Sequence, residues 1–493
     1  MDAYLAVDQG TTSSRALVFA RDASTLISYQ KEFPQIYPQS GWVEHDPEIL
    51  WNVTISVIRE ALSHSREKKI RIVGVGITNQ RETVVVWDKK TGIPIYNAIV
   101  WQDRRTRDIC KRMIFQGFED YISYNTGLIL DPYFSATKLQ WILDNVEGAR
   151  SKADMGELAA GTIDSFLIWR LTNGACHATD VTNASRTSLF NISSCSWDEK
   201  LLEIFNIPPG ILPSVYPSAH NFGMTSSAVV GDELPISSVL GDQQSAAIGQ
   251  QCFDTGSLKV TLGTGGFLLL NTGNKIVRSK SKLISTVLYK IKNEVRYALE
   301  GSIFNAGTTI QWLRDELQII DSAKESEYLA SQVCGDNDIY FVPGFTGLGA
   351  PHWESSAKAA IFGLRRDTGK DQIARAALES VAFQVNDVVQ CMIDDGVYPE
   401  VIKVDGGMSR NNWCMQFLSD ILGLPVEISA TSEATALGVA MLASNHKDHS
   451  LGVLGIGGSG APFKLFTPKL RKERRAELIR GWSKAVSSTI SNI

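Results

Sequence analysis

Apolar runs and polar interruptions alternate along the whole chain, and their spacing predicts both strands and helices. Apolar runs of strand length occur at 70–77 (IRIVGVGI) and 83–87 (TVVVW), which is the pattern of buried strands. Apolar residues recur at three- and four-residue intervals within 135–145 and 372–393, which predicts amphipathic helices there. Strands interleaved with helices in this way predict an α/β protein.

One pattern, an apolar run interrupted by a polar turn, occurs near the start of the chain and again just past its midpoint, once in each half. In the first copy the apolar run 5–7 is followed by the polar string DQGTTSSR and then by the apolar run 16–19. The second copy is 257–270 (SLKVTLGTGGFLLL). With 493 residues the chain is also longer than one core usually sustains. We therefore expect two related domains, 1–250 and 251–493.

The polar residues of these two units are suited to binding an anion. Backbone amides and hydroxyls that converge on a turn form an anion-binding concavity. Glycine lets the backbone approach a phosphate, and serine and threonine add hydrogen-bond donors. The lysine-containing phosphate loop GxxxxGK[ST] does not occur in the sequence. The sequence thus predicts a phosphate held between two opposed hairpins, while two ordinary turns remain the alternative.

Two further glycine-rich stretches need separate interpretations. Residues 401–407 (VIKVDGG) form a predicted strand that ends in glycines, and ligands of open α/β sheets bind at that end. A nucleotide is therefore expected against this backbone. Residues 452–460 (GVLGIGGSG) are predicted to be a surface loop. They lack the strand–helix unit of a dinucleotide fingerprint.

Composition and charge exclude several classes of function. The formal net charge is −5, which gives no electrostatic basis for binding nucleic acid or an anionic membrane. We find no signal peptide and no apolar segment of membrane-spanning length. The seven cysteines are scattered without a CxxC pair, so neither a disulfide framework nor a cysteine metal site is expected. A cytoplasmic protein without an integral membrane segment is predicted.

Several multi-residue motifs together identify a family. The segments 133–145 and 359–379 match its two motifs, and the strings GWVEHDP (41–47), TNQRET (78–83) and GDQQ (241–244) are typical of members that act on glycerol. Over essentially its whole length the chain resembles the FGGY family of sugar and polyol kinases. The resemblance implies the actin-like ATPase fold, with two ribonuclease-H-like domains flanking a central cleft for ATP and the polyol.

The resemblance also implies a set of site residues. The residues expected to contact glycerol are Arg81, Glu82, Trp101, Tyr133, Asp242, Gln243 and Phe267. Those expected to contact ATP are Thr11, Thr12, Ser13, Arg15, Thr264, Gly265, Gly307, Gln311, Gly407 and Asn411. Asp8 and Asp242 are expected near a Mg²⁺ ion, which prefers oxygen ligands and keeps several waters. For Asp8 a structural role in the turn remains the alternative.

The chemistry of three of these residues suits a small polyol. Each hydroxyl of glycerol both donates and accepts hydrogen bonds, and the neighbouring residues Arg81 and Glu82 supply only donors and only acceptors, respectively. Without the surrounding string, this pair would more often be a surface charge pair. Asp242 is the expected catalytic residue, because a carboxylate within hydrogen-bond reach can take the proton of the attacking hydroxyl.

The expected function is therefore ATP-dependent phosphorylation of glycerol to sn-glycerol 3-phosphate by in-line transfer with Mg²⁺. A kinase for another short polyol or sugar of the same family is the first alternative. A second is an actin-like chaperone or filament protein that uses ATP as a switch, but it leaves Arg81, Glu82 and Tyr133 without a role. The expected partner is glycerol, not nucleic acid, and a homo-oligomer remains open.

Overall fold

The structure is a computed structural model, and it describes residues 1–335, 338–354, 356–429, 431, 433–444 and 464–491. The predicted surface loop 452–460 lies outside the described residues. Among the described residues, no helix combines the length and the apolar character needed to cross a membrane.

The N-terminal half contains two main sheets and a set of helices. Its strands are β1 (Asp2–Gln9), β2 (Ser13–Ala20), β3 (Thr25–Glu32), β4 (Glu44–His45), β5 (Arg71–Asn79), β6 (Val84–Asp88), β7 (Ala98–Ile99), β8 (Leu158–Thr162), β9 (Ala178–Asp180), β10 (Phe190–Asn191), β11 (Ser196–Trp197), β12 (Ser214–Tyr216) and β13 (Ile236–Gly241). Its helices are α1 (Pro47–Glu67), α2 (Arg107–Phe115), α3 (Glu119–Thr126), α4 (Ser135–Asn145), α5 (Ala149–Asp154), α6 (Ile163–Leu171), α7 (Val181–Ala184), α8 (Glu199–Ile204), α9 (Ser227–Val230) and α10 (Asp242–Gly249).

The C-terminal half is built on one larger sheet. Its strands are β14 (Ser257–Leu262), β15 (Gly266–Gly273), β16 (Ile284–Ile291), β17 (Glu294–Ile303), β18 (Tyr340–Val342), β19 (Ala360–Phe362), β20 (Val401–Asp405), β21 (Val426–Ile428) and β22 (Lys464–Phe466). Its helices are α11 (Gly307–Asp315), α12 (Ala323–Gln332), α13 (Lys370–Asp394), α14 (Asn412–Leu422), α15 (Ala434–Ser444) and α16 (Lys472–Ser491).

The central sheets of the two halves have the same strand order. In the N-terminal half the order is β3-β2-β1-β5-β13, with antiparallel pairing among the first three strands and parallel pairing among the last three. In the C-terminal half β17-β15-β14-β20-β21 repeat this order and these directions. Strands β16 and β22 are added at the edges. The prediction of an α/β protein made of two related halves is confirmed.

The predicted local elements appear with small shifts of their ends. The apolar runs 70–77 and 83–87 become β5 and β6, and 401–405 becomes β20. The helix predicted over 135–145 has the bounds of α4, and α13 extends the second predicted helix by a few residues. The two polar interruptions contain the turns 10–12 and 263–265 of the hairpins β1–β2 and β14–β15, while Asp8 and Arg15 of the first string are paired strand residues. The domain limits 1–250 and 251–493 stay a prediction.

Helix α15 packs between the two halves. Its apolar residues share one buried cluster with β1, β2 and α10 of the N-terminal half and with β15 and β16 of its own half. Contact with α10 is so close that a Cβ atom added at Gly438 would lie 1.8 Å from the carbonyl oxygen of Ser245. A Cβ atom at Gly249 would lie 1.9 Å from that of Ala434. Small residues at the crossing thus bring the two backbones together.

One face of the C-terminal sheet presents charged residues to the N-terminal half. Lys259 on β14 lies opposite Leu269 on β15, which lies opposite Glu300 on β17. Both charged residues are buried. The residues on either side of Lys259 on β14, Leu258 and Val260, point into the core of the C-terminal half. Because successive strand residues point to opposite faces, this row is turned away from that core.

Candidate active site

The turn that follows β5 places Arg81 and Glu82 inside the protein. The backbone of Gln80 donates to Gln9 of the neighbouring strand over 2.8 Å, and Thr83 N donates to the Arg81 carbonyl over 2.8 Å. Glu82 has φ +63°, in the left-handed region, and its carbonyl accepts a 3.0 Å hydrogen bond from the hydroxyl of Ser135. Non-glycine residues held in this region cost about 1–3 kcal/mol and cluster at functional sites.

Four buried charges form a neutral network around this turn. The guanidinium of Arg81 binds Glu300 through Nη1 (2.6 Å) and Nη2 (3.1 Å). Arg186 donates from Nη2 to Glu300 (3.0 Å) and from Nε to Glu82 (2.6 Å). All four residues are at most 3% exposed. Two arginines therefore alternate with two carboxylates, one of which, Glu300, comes from the C-terminal half.

Burial and pairing act in opposite directions on these carboxylates. Burial disfavours the charged form, yet the guanidiniums of Arg186 and Arg81 lower the pKa of Glu300 to about 2. For Glu82 burial is stronger than the same two cations, so its pKa is raised. Burial also raises the pKa of the Tyr133 hydroxyl. Glu300 is thus the fixed anion of the network, and Tyr133 stays a neutral donor and acceptor.

Asp242 is the first residue of α10, directly after β13. Its Oδ1 accepts from Gln243 N over 2.7 Å and lies 3.2 Å from Nε of Arg81. Oδ2 accepts no hydrogen bond from the described residues, and the side chain is 31% exposed. Of Arg81, Glu82 and Asp242, Asp242 thus has the most exposed side chain, and its Oδ2 faces no hydrogen-bond donor of the described residues.

Three aromatic rings form a wall beside these charges. The ring of Trp101 meets Tyr133 edge-on at 5.6 Å and Phe267 at 6.5 Å between centroids. The indole nitrogen of Trp101 donates to the hydroxyl of Thr11 over 3.0 Å. Phe267 comes from β15 of the C-terminal half. The structure thus brings residues of both halves together around the predicted glycerol site.

The first hairpin turn holds its hydroxyls in different environments. Gly10 N closes the turn on the carbonyl of Ser13 over 2.9 Å. The Ser13 hydroxyl accepts from Gln30 over 3.1 Å, and the Thr11 hydroxyl accepts from Trp101. Thr12 is exposed in the turn. Each of these hydroxyls still has a proton to donate to a ligand.

Arg15 joins two carboxylates from different halves. Its Nη2 pairs with Asp8 on the adjacent strand, and its Nη1 lies 2.5 Å from Glu433, just before α15. Burial raises the pKa of Asp8 more strongly than Arg15 lowers it. The negative charge of Asp242 adds to that rise in the pKa of Asp8. The predicted contact of Arg15 with a phosphate stays a prediction.

The second hairpin turn is tied to the start of α11. The carbonyl of Thr264 accepts from the backbones of Ala306 and Thr308 over 3.0 and 3.1 Å. Gly307 N donates to the Gly263 carbonyl over 2.9 Å, and a Cβ atom at Gly307 would lie 2.6 Å from that oxygen. A Cβ atom at Gly265 would lie 2.7 Å from the carbonyl of Ile303. Glycine is therefore required by space at this turn.

The remaining predicted nucleotide residues lie at or beside the end of β20. Gly406 has φ +91°, and a Cβ atom there would lie 2.4 Å from the carbonyl oxygen of Leu262. Gly407 is exposed next to it. Asn411 caps α14 by accepting from Cys414 N over 2.9 Å. Gln311 is exposed on α11 without a side-chain contact to the other predicted residues among the described part of the chain.

Two profiles of one family match the sequence. The N-terminal domain of the FGGY family of carbohydrate kinases matches residues 3–249, and its C-terminal domain matches residues 258–445. The chain belongs to the FGGY family of carbohydrate kinases. The glycerol kinase of Alteromonas mediterranea, a protein similar to this one, is 51% identical over 484 residues, 98% of each chain.

Solved structures show the same fold. The crystal structure of Plasmodium falciparum glycerol kinase with ADP has a TM-score of 0.93 and 38% identity, over 99% of this chain and 98% of that one. Gluconate kinase from Lactobacillus acidophilus has a TM-score of 0.88 with only 22% identity, over the same shares, and so supports the fold alone. The predicted actin-like ATPase fold of the FGGY family is confirmed.

Three residues of this FGGY kinase site were missed by the sequence analysis. Arg186 and Glu300 complete the buried network, and the ammonium of Lys259 donates to Oε1 of Gln243. Arg186 also lies 5.3 Å from the ring of Phe134 and 5.8 Å from that of Tyr133. The available signal was a lone charge within an otherwise apolar strand, as in 297–301 (YALEG) and 257–262 (SLKVTL).

The carboxylates of the site fit a magnesium ion held mainly by a nucleotide. Within the described residues no group of three or more His, Cys, Asp or Glu side chains is placed to hold a metal. Asp8 lies near the end of β1 and Asp242 directly after β13, and both strands run parallel to β5 between them. Mg²⁺ is commonly bound through one or two carboxylates together with substrate phosphates and water, which is the donor set available here.

Proposed function

We propose that this protein transfers the γ-phosphoryl group of ATP to a primary hydroxyl of glycerol, giving sn-glycerol 3-phosphate. The observation that carries the proposal is the buried pair Arg81 and Glu82 beside the partly exposed carboxylate of Asp242. A family membership that covers both halves and relatives named glycerol kinase support the same activity.

The pocket provides both kinds of partner that a polyol hydroxyl needs. Arg81 supplies donors, Glu82 supplies acceptors, and Gln243 supplies its amide NH₂, since Lys259 occupies its oxygen. Trp101 and Phe267 cover the carbon–hydrogen side of a short substrate. The three hydroxyls of glycerol can be bound this way without leaving a buried polar group unpaired, which would cost about 1–3 kcal/mol.

Asp242 is the proposed general base. Oδ1 is held by Arg81 and by the backbone of Gln243, so Oδ2 is the atom that takes the proton of the attacking hydroxyl. The guanidinium of Arg81, 3.2 Å from Oδ1, holds the carboxylate in this orientation. The phosphoryl transition state spreads charge over its oxygens, so the remaining contribution is positioning and charge neutralisation.

The two hairpin turns are the proposed phosphate clamp. Thr11, Thr12 and Ser13 donate from the first turn, and the backbone of Thr264 and Gly265 from the second, at positions where glycine allows close approach. The nucleoside would lie toward Gly307, Gln311, Gly407 and Asn411. Asp8 and Asp242 would hold Mg²⁺, which when bound neutralises charge on the phosphates.

A coupled ADP-release assay over a panel of polyols tests the proposal. We expect kcat/KM for glycerol to exceed that for four- to six-carbon polyols, xylulose and gluconate by about tenfold or more, because the aromatic wall limits the pocket. A higher value for a longer substrate would favour the alternative of another polyol or sugar kinase. Hydrolysis of ATP that no polyol stimulates would contradict both. Cytoplasmic location and a homo-oligomer stay predictions.

A further inference from the structure

The carboxylate of Glu300 comes from the C-terminal half and lies behind the proposed glycerol site, against Arg81 and Arg186. It lies on β17 in the cross-strand row Lys259–Leu269–Glu300, and only 3% of it is exposed. We propose that Glu300 is a positioning residue for polyol binding, which acts through Arg81 and Arg186. This inference rests on the proposed function but concerns a residue that does not itself contact the substrate.

Glu300 binds the outer ends of two guanidinium groups at once. Oε2 accepts from Arg81 Nη1 over 2.6 Å, and Oε1 accepts from Arg81 Nη2 over 3.1 Å and from Arg186 Nη2 over 3.0 Å. The pair with Arg81 is bidentate, and such pairs fix the plane of the guanidinium as well as its position. Glu300 therefore determines where the opposite edge of each guanidinium points.

The opposite edges carry the Nε donors that meet the site. Nε of Arg81 lies 3.2 Å from Oδ1 of Asp242, and Nε of Arg186 donates to Oε1 of Glu82 over 2.6 Å. One carboxylate from the C-terminal half thus sets the geometry of two carboxylates in the N-terminal half. Asp242 is the proposed base and Glu82 the proposed acceptor for the polyol.

The role requires a charged acceptor rather than any polar side chain. The like charges of Arg81 and Arg186 repel one another, and Glu300 lies between them. Glutamine at this position would be neutral and would replace one acceptor with an NH₂ donor facing guanidinium donors. At least one of the three hydrogen bonds would be lost, and the two arginines would be drawn toward Glu82 and Asp242.

Glu300 also lies close to the second hairpin turn along the same strand. Three residues later, the carbonyl of Ile303 packs against Gly265. A variant that merely loosened β17 would therefore disturb the proposed nucleotide site as well as the polyol site. A positioning role predicts weaker binding of the polyol with binding of the nucleotide unchanged. Comparing the KM values of the two substrates therefore distinguishes a positioning role from a loosened strand.

The test is steady-state kinetics of Glu300→Gln in the full chain. We expect KM for glycerol to rise by about tenfold or more, with KM for ATP within about twofold of wild type. Glu300→Asp keeps the charge, but its shorter side chain reaches one guanidinium less well. Its KM for glycerol should therefore lie between those of the wild type and Glu300→Gln. The matched control is Glu294→Gln on the same strand, half exposed and paired with Arg296, which should behave as wild type.

Two outcomes would overturn the inference. One is a folded Glu300→Gln protein whose glycerol KM stays near the wild-type value, and the other is an equal rise in KM for glycerol and ATP. If Glu300→Gln does not fold, Glu300→Asp decides, since an unchanged glycerol KM in that variant contradicts the proposal. A wild-type enzyme that fails to phosphorylate glycerol would instead count against the proposed function itself.

Discussion

The two halves share one strand order but differ in what they place at the strand ends. In the N-terminal half, β1 carries Asp8 near its end, β5 is followed by Arg81, and β13 by Asp242. In the C-terminal half, β14 and β20 are followed by Gly263 and Gly406. The same scaffold therefore presents side chains on one side of the cleft and bare backbone on the other.

This difference matches the two ligands proposed for the cleft. A small neutral polyol is recognised by donors and acceptors at several fixed points, which only side chains of varied length provide. Phosphates and a flat base are held well by backbone amides, provided that no Cβ atom blocks their approach. One strand order with different residues at the strand ends is therefore sufficient to account for both sites.

The largest expected effect comes from the side-chain side of the cleft. Asp242→Asn should lower kcat by about 10²-fold or more, because asparagine still forms hydrogen bonds but cannot take the hydroxyl proton. Glycerol KM should change much less. Asp232→Asn is the control, since that carboxylate is exposed and pairs with Arg66 over 2.5 Å. A near-normal kcat would show that Asp242 only binds substrate.

The backbone side is tested by adding one methyl group. Gly406→Ala combines a left-handed φ with a Cβ atom 2.4 Å from the Leu262 carbonyl, so KM for ATP should rise by about tenfold or more. Gly396→Ala shares the strained φ of +87° but has open space around its Cβ. If both variants behave alike, conformational strain alone accounts for the effect, and close backbone approach is not the reason for the glycine.

A smaller effect is expected from Lys259, a side chain that the C-terminal half supplies to the polyol site of the N-terminal half. Lys259→Met removes the donor to Gln243, so the amide can rotate and glycerol KM should rise by roughly threefold to tenfold. The half-exposed Lys290→Met on β16 serves as the control. A selective rise in ATP KM instead would assign Lys259 to the nucleotide site.

The smallest effect is expected on acid stability, through a buried histidine of the N-terminal half. Burial lowers the pKa of His177 to about 4, below its ordinary value of about 6.5. The unfolded chain therefore binds this proton first, and the free energy of unfolding should fall as the pH drops from 6.5 to 4. In His177→Gln that dependence should weaken by about 1–3 kcal/mol across the window, measured by urea unfolding. An unchanged pH slope would contradict it.

Local patterns predicted the local structure well. The three- and four-residue spacing in 135–145 gives the bounds of α4, and the polar strings at 8–15 and 263–266 contain hairpin turns. Multi-residue motifs also identified Arg81, Glu82 and Asp242, which the structure brings together at the cleft.

Pairings between distant residues could not be predicted in the same way. Glu300 meets Arg81 from 219 positions further along the chain, and no local periodicity records such a contact. In the sequence it is one charge within a strand, and only the register of β15 with β17 turns it toward the other half. A buried charge requires a partner, so a lone charge in an apolar strand is the signal to follow in related sequences.

The position of α15 affects how the chain can be divided. The helix belongs by sequence to the C-terminal half, but it covers β1, β2 and α10 of the N-terminal half. A fragment ending near residue 250 would expose that apolar surface to water and would be prone to aggregate. The complementary fragment carries the missing helix, so the two pieces expressed together should reassemble into one active particle. The protein is in this sense a natural candidate for a split reporter, in which recovery of kinase activity reports that two fused partners have met.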